Sequence, residues 1–246
     1  MRMPDLASSV AQKAGFTSTH WSVVLAAGQD TSAEKSEALE RLCRTYWYPL
    51  YAFVRRRGYP QHEAQDLTQS FFERLLDKQY LRAVDRKKGK FRSFLLASLE
   101  HFLANEWRRS QAQKRGGNMS FISLDEDSAE RHYLQVPGGL SPEQLFEQQW
   151  ATALLEHVLV ILRAEFAAEG KGELFEQLKV YLTGEKQGVY AEMAARLKTT
   201  EAGIKMAVSR LRHRYGALLR EEIANTVARP EDIEEELRAL FAALTR

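Results

Sequence analysis

Apolar residues recur at helical spacing along nearly the whole chain, and no stretch alternates apolar and polar positions as a half-buried strand does. The clearest stripe, with positions three or four apart, consists of Phe91, Phe94, Leu95, Ser98, Leu99 and Phe102. The same spacing predicts helices over residues 20–28, 33–57, 62–77, 91–109 and 172–183, and further helices after residues 141 and 190. The pattern therefore predicts an all-α fold.

The pattern breaks once, between residues 111 and 141. This segment contains Gly116-Gly117 and Pro137-Gly138-Gly139, is rich in acidic residues and has little periodicity, which is typical of a linker. We therefore predict two helical domains joined by a flexible linker. The predicted segments are 1–32 (a short N-terminal helix), 33–112 (first domain), 113–141 (linker), 142–220 (second domain) and 221–246 (an acidic, amphipathic extension).

The formal net charge of +2 conceals two basic regions with an acidic one between them. Residues 78–115 contain eleven Lys or Arg against three acidic residues, and residues 190–220 contain seven against two. Residues 121–150 carry six acidic residues and one Arg. Two separate basic regions are expected of a protein that contacts a polyanion at two places, although either alone is equally typical of a solvated helix face.

The composition argues against several classes of function. Cys43 is the only cysteine, so no disulfide or cysteine-based metal site is expected, and its apolar setting favours burial over reactivity. The apolar runs are far shorter than a membrane span and no signal-peptide stretch is recognisable, so we expect a cytoplasmic protein without membrane contact. Because motifs for binding nucleotides or catalytic zinc are missing, we expect no enzyme activity, no cofactor and no metal.

Residues 190–215 have the sequence pattern of a helix-turn-helix. The turn is Lys198-Thr199-Thr200, with Thr200 as the cap of the second helix. That helix is predicted to bury Ile204, Val208, Leu211 and Tyr215. Its other face combines short polar side chains with cations, as a helix in the major groove requires, and carries Lys205, Ser209, Arg212 and His213, flanked by Met206, Arg210 and Arg214. An ordinary αα-hairpin with a basic exterior is the alternative.

Three stretches in this order resemble the extracytoplasmic-function (ECF) group of sigma-70 family factors. Residues 190–212 are similar to sigma region 4, residues 66–72 to the region 2 helix that docks on polymerase, and residues 91–109 to the helix that reads and opens the minus-10 element. The resemblance implies binding to the clamp and flap surfaces of core RNA polymerase, recognition of minus-35 and minus-10 promoter DNA, and strand opening. Thr19-His20-Trp21, the long linker and the C-terminal extension resemble a long-linker subgroup.

The resemblance implies three sets of binding residues. The polymerase-binding set is Asp66, Gln69, Ser70, Phe72 and Arg74. We expect Phe72 at the surface because Phe71 already serves the core, with burial of Phe72 as the alternative. The minus-10 set is Arg92, His101, Asn105, Arg108, Arg109, Lys114 and Arg115, and the minus-35 set is Thr200, Glu201, Lys205, Met206, Ser209, Arg210, Arg212 and His213. Because Ser70, His101, Asn105 and Met206 depart from the family's usual residues, the promoter sequence has to be measured.

The C-terminal extension has the pattern of an amphipathic helix, with apolar positions Ile233, Leu237, Leu240, Phe241 and Leu244. We expect it to pack on the second domain, and the alternative is that it masks basic surface or docks a regulatory partner. For the whole chain, the alternative function is a helix-turn-helix transcriptional regulator that acts without being a polymerase subunit. Residues 66–109 would then be a merely structural bundle.

Overall fold

The structure, a computed structural model, describes residues 33–75, 89–112, 126–136, 138–183 and 190–245. Within these ranges the regular elements are helical and no strand occurs, so the predicted all-α fold is confirmed. The helices are α1 (Ala33–Arg56), α2 (Gln61–Leu75), α3 (Phe91–Ala112), α4 (Glu126–Leu134), α5 (Pro142–Ala168), α6 (Gly172–Leu178), α7 (Val180–Thr183), α8 (Tyr190–Arg196), α9 (Glu201–Ala224) and α10 (Ile233–Leu244), with a 3-10 turn at Pro230–Asp232. The helix predicted at residues 20–28 lies outside the described residues.

Helices α1, α2 and α3 pack around a largely aromatic core. Tyr46 of α1 meets Phe91 of α3 edge-on, with ring centroids 5.3 Å apart, and Phe71 of α2 meets Phe102 of α3 at 5.8 Å. Each contact joins helices that are separate in sequence, so burial of these rings fixes the bundle. Cys43 is 2 % exposed, as expected of a small buried apolar residue.

The segment predicted to be a linker contains helix α4, and α4 lies against α1. Glu130 accepts hydrogen bonds from the Tyr51 hydroxyl and from Arg55, whose Nε and Nη2 lie 2.9 and 2.7 Å from its carboxylate oxygens. The Tyr48 and His132 rings stack at 4.4 Å. Residues 126–134 of the predicted linker are therefore helical and packed on α1, which the sequence pattern did not predict. Ionic and aromatic contacts hold this helix, and apolar periodicity does not detect them.

Helix α5 is the central element, because it packs along α1 and also contacts α6, α9 and α10. Ser141 begins it with the predicted cap: its hydroxyl accepts from the Gln144 N–H at 3.2 Å, and the Gln144 side chain accepts from the Ser141 N–H at 2.9 Å. Trp150 and Leu154 of α5 belong to one continuous cluster of buried residues that extends from Cys43 to Ala243. The predicted first and second domains thus share their core in this structure, while their boundaries stay a prediction.

The C-terminal extension forms α10, which packs on α5 and α9. Leu237 and Leu240 are buried, and Ile233 and Leu244 are partly buried against the same core, so the expected packing on the second domain is observed. Phe241 is 54 % exposed, so it does not belong to the buried face as predicted. None of the described helices is long and apolar enough to cross a membrane.

Candidate nucleic-acid interface

Helices α8 and α9 form the helix-turn-helix pair that the sequence predicts. Near the turn they bury Met193, Ala194, Ile204, Val208 and Leu211. Lys198 has a φ of 50°, the left-handed conformation that ends α8, and the Thr199 N–H donates to the Ala194 carbonyl at 3.0 Å. The small side chain of Ala194 suits the close packing of the two helices. A short turn with a defined backbone conformation therefore joins α8 to the first residues of α9.

The turn residues also fix the first turn of α9. The Thr200 side chain caps the helix by accepting from the Gly203 N–H at 3.1 Å. A Cβ atom at Gly203 would lie 2.9 Å from Thr199 Oγ1, so the glycine lets the two threonines approach the helix closely. Thr200 therefore has a structural role in addition to its predicted place in the minus-35 set.

Seven residues of the predicted minus-35 set lie exposed on α9: Glu201, Lys205, Met206, Ser209, Arg210, Arg212 and His213. The Lys205 ammonium is 2.8 Å from the Glu201 carboxylate and 5.7 Å from the centroid of the Tyr190 ring. The hydrogen bond to Glu201 raises the pKa of Lys205. Arg210 contacts the sulfur of Met206 at 3.2 Å. These interactions orient the side chains at the surface and leave them accessible to a polyanion.

Two further arginines of α9 make contacts with the protein. Arg212, which belongs to the predicted minus-35 set, donates from Nη2 and Nε to the Tyr181 carbonyl oxygen at 2.9 and 3.2 Å. Arg214 pairs with Glu165 of α5 at 2.5 Å, and this hydrogen bond raises the pKa of Arg214. Arg212 is therefore a less direct candidate for DNA contact than Lys205 or Arg210.

The first turn of α3 holds its arginine inside the protein. Arg92 is 8 % exposed, and its Nε and Nη2 donate to the two carboxylate oxygens of Glu236 on α10 at 2.5 and 3.2 Å. Its Nη1 lies 3.0 Å from Glu147 of α5, and its guanidinium lies 4.9 Å from the Trp150 ring centroid. Burial opposes the charge of Arg92, but the hydrogen bonds to Glu236 and Glu147 outweigh it and raise the pKa. The predicted role of Arg92 in DNA binding requires these ion pairs to open.

The second half of α3 is different, because its polar residues face solvent. His101 and Arg108 are exposed, Asn105 is half-buried, and the Asn105 amide nitrogen lies 3.4 Å from His101 Nδ1. Of the other predicted minus-10 residues, Arg109 lies in α3 but its side chain is not among those described, and Lys114 and Arg115 lie outside the described residues. The structure thus brings His101, Asn105 and Arg108 together and places Arg92 elsewhere.

A surface groove of about 460 Å³ lies beside these residues, between the end of α1 and the second half of α3. Its lining residues are Arg57, Tyr59, Glu100, Leu103, Ala104, Trp107 and Arg108. Trp107 is 60 % exposed and belongs to none of the three predicted binding sets. The available signal was its register: Trp107 falls outside the apolar stripe of α3 that ends at Phe102, so a large ring there is at the surface.

On α2, the predicted polymerase-binding residues divide by burial. Asp66 and Ser70 are exposed, and Gln69 and Arg74 are half-buried. Phe72 is only 2 % exposed, so the expectation that it lies at the surface is wrong and its burial alternative is correct. The reason is that α2 contacts both α1 and α3, which buries two adjacent positions of the helix, Phe71 and Phe72.

Glu236 is fully buried, and no role was predicted for it from the sequence. The sequence does indicate its burial, because position 236 lies three residues after Ile233 and four before Leu240. It therefore falls on the apolar face of α10. A charged residue at such a position predicts a buried partner of opposite charge. Within the described ranges, no group of three or more His, Cys, Asp or Glu side chains is placed to hold a metal ion.

Comparison with protein families gives a match to a family model. A model described as ECF sigma factor matches residues 31–221, which is most of the chain and includes α1 to α9 except for the last three residues of α9. Neither the curated proteins nor the solved structures gave a match.

Proposed function

The chain belongs to the ECF sigma factor family, which acts in transcription initiation. We propose that it binds core RNA polymerase and directs it to promoters by recognising their minus-35 and minus-10 elements. Such a factor performs no bond chemistry of its own. It supplies binding energy and sequence recognition that the core enzyme lacks. The proposal assigns one task to each of three surfaces: the exposed face of α9, the second half of α3 and the exposed face of α2.

The observation that carries the proposal is the exposed face of α9. Ile204, Val208 and Leu211 turn one face of this helix into the core, so Lys205, Ser209 and Arg210 stand on the other. A helix held in this way by a preceding short helix fits the major groove of duplex DNA, where cations contact phosphates and short polar side chains reach base edges. We assign the minus-35 element to this surface.

The second half of α3 is the proposed surface for the minus-10 element. His101, Asn105 and Arg108 supply polar and cationic groups, and the exposed Trp107 ring stands beside them. Unstacked bases are held by aromatic rings and by cations that follow the backbone, with stacking contributing about 1–3 kcal/mol per base. Arg109, Lys114 and Arg115 continue the basic sequence beyond this surface. Capture of unpaired bases here would offset part of the energy needed to open the duplex.

The exposed face of α2 is the proposed contact with the polymerase clamp. Asp66, Gln69, Ser70 and Arg74 supply it, while the buried Phe72 supports the helix from inside. The part of the molecule formed by α5 to α9, which we call the helix-turn-helix half, is the proposed contact with the flap. Each surface alone contributes modest affinity. Because both promoter-reading surfaces are attached to the same polymerase, binding of one to the promoter raises the effective concentration of the other.

The test is reconstitution of the full chain with core polymerase from its own source. We expect co-migration of the two in gel filtration and initiation at promoters selected from a random library by the reconstituted enzyme. An Asp66→Arg variant is expected to lose co-migration, and Glu63→Arg, a similar change at another exposed position of α2, serves as its control. Failure of the unmodified chain to co-migrate or to initiate would contradict the proposal. DNA binding without co-migration would instead support the regulator that acts outside the polymerase.

A further inference from the structure

The C-terminal helix connects parts of the molecule that the proposed function assigns to different promoter elements. Helix α10 packs on α5 and α9, in the half that carries the helix-turn-helix. Its Glu235 and Glu236 reach across to the beginning of α3, where Glu235 lies 2.7 Å and Glu236 3.3 Å from the Lys90 ammonium. Glu236 also holds Arg92 through both carboxylate oxygens. One short helix therefore joins α3 to the helix-turn-helix half.

The chemistry at this junction is that of a specific, desolvated interaction. Glu236 is fully buried and the Arg92 side chain is 10 % exposed, so the pair is shielded from water and from salt. Two parallel hydrogen bonds between guanidinium and carboxylate also fix the direction of approach. The backbone adds one contact, because the Phe91 N–H donates to the Thr226 carbonyl, in the turn that follows α9, at 2.9 Å. Exposed α10 carboxylates alone would not hold the helix in one place.

The arrangement that this junction stabilises is too compact to read two promoter elements at once. The numbering of minus-35 and minus-10 places their centres about 25 base pairs apart, which is about 85 Å along B-DNA at about 3.4 Å per base pair. A compact chain of 246 residues has a radius of gyration of about 18 Å, and hence a diameter of about 46 Å. The shared core of α1 and α5 thus has to separate before α3 and α9 occupy both elements.

We propose that α10 is an intramolecular latch: by pairing with Lys90 and Arg92 it holds the promoter-reading helix α3 against the helix-turn-helix half, and it has to release α3 before the factor engages a promoter. This inference rests on the proposed function. In the latched state Arg92 is withheld from DNA, while the face of α9 with Lys205 and Arg210 is accessible. Release exposes Arg92 and allows the two halves to separate. The free protein therefore binds a promoter with an affinity reduced by the fraction of molecules that are latched.

The deciding experiment locks the latch without disturbing the fold. Lys90 and Glu235 are both replaced by cysteine and joined with a cleavable bismaleimide, in a protein whose native Cys43 is buried and protected from the reagent. The matched control joins Arg220→Cys to Glu234→Cys, an exposed pair that fastens α10 to α9 and leaves α3 free. We expect the first cross-link to reduce initiation at least tenfold and cleavage of the linker to restore it. The control cross-link is expected to leave initiation within about twofold.

The outcomes separate the latch from the proposed function. Full initiation by the protein cross-linked between residues 90 and 235 would overturn the latch while leaving the sigma-factor role intact. If the unmodified chain fails to initiate with its own core polymerase, the proposed function fails and the latch falls with it. A second variant, Glu236→Gln, tests release directly: we expect the affinity of the free full-length chain for promoter DNA to rise about tenfold relative to Glu231→Gln, an exposed change of equal charge. Equal affinities of these two variants would also count against the latch.

Discussion

The first turn of α3 and the exposed face of α9 are both basic and both predicted to meet DNA, yet their cations have different surroundings. Arg92 on α3 is buried between Glu236 and Glu147. Lys205 on α9 is exposed, and its carboxylate partner Glu201 belongs to the same helix and is itself exposed. The first arrangement therefore contributes to holding helices together, and the second leaves its charge at the surface.

The difference shows that a local count of basic residues does not measure the charge offered to DNA. The carboxylate that neutralises Arg92 comes from a position 144 residues later in the chain. The one beside Lys205 comes from four residues earlier and is screened by water. Whether a cation is available thus depends on tertiary partners, and the two regions differ mainly in that respect.

The largest effect is expected from Arg92→Ala, which leaves Glu236 buried with Lys90 as its remaining ion-pair partner among the described residues. Removing one partner of a buried ion pair costs about 3–5 kcal/mol. We expect denaturant unfolding to show a correspondingly lower free energy of unfolding. If α10 detaches before the rest of the protein unfolds, hydrogen exchange should instead show that the α10 amides lose their protection. Arg210→Ala, an exposed arginine on α9, is the control and should change the free energy of unfolding by less than about 0.5 kcal/mol. Equal effects of the two substitutions would remove the distinction between the regions.

The Arg92 pair also marks how far sequence reasoning reaches. The stripes of α3 and α9 and the cap at Ser141 follow from residues close in sequence, so periodicity and capping rules predict them. Helix α4 and the partners of Arg92 depend on contacts between distant segments, which no local pattern contains. Phe72 is an intermediate case: helix periodicity places it beside Phe71, but only the presence of helices on two sides of α2 explains why both rings are buried.

A second paired arginine, Arg55, tests whether the behaviour of the Arg92 pair extends to another region. Hydrogen bonding from Arg55 and Tyr51 lowers the pKa of Glu130 below its ordinary value of 4.5. Because the folded-state pKa is the lower one, the stabilisation is complete above pH 4.5 and is lost as the pH falls through the folded-state pKa. Glu130→Gln should therefore lower the free energy of unfolding by about 1–2 kcal/mol at pH 7.

The measurement is denaturant unfolding of wild type and Glu130→Gln between pH 3 and pH 7. The difference between the two proteins should shrink as the pH falls below about 4.5, because the carboxylate is protonated first in the unfolded chain and, at lower pH, in the folded protein. Glu63→Gln changes the net charge equally at an exposed position of α2 and serves as the control. A difference that is independent of pH would mean that Glu130 stabilises α4 without its charge.

The smallest effect on stability, and the most direct test of the exposed region, is expected from Lys205→Ala. Its ammonium is at the surface, so the substitution should leave the unfolding transition unchanged within error. If Lys205 neutralises a phosphate in the promoter complex, its loss removes one released counterion, and the slope of log affinity against log salt concentration decreases in magnitude by about 0.9. Binding of the reconstituted polymerase complex to promoter duplex over a salt series measures this slope. Arg214→Ala is the control on the same helix, because Arg214 pairs with Glu165 and should leave the slope unchanged. If Arg214→Ala changes the slope and Lys205→Ala does not, the ion-paired arginine is the residue that reaches DNA. The ion pairs of α9 would then open on DNA binding, as those at the beginning of α3 are proposed to do.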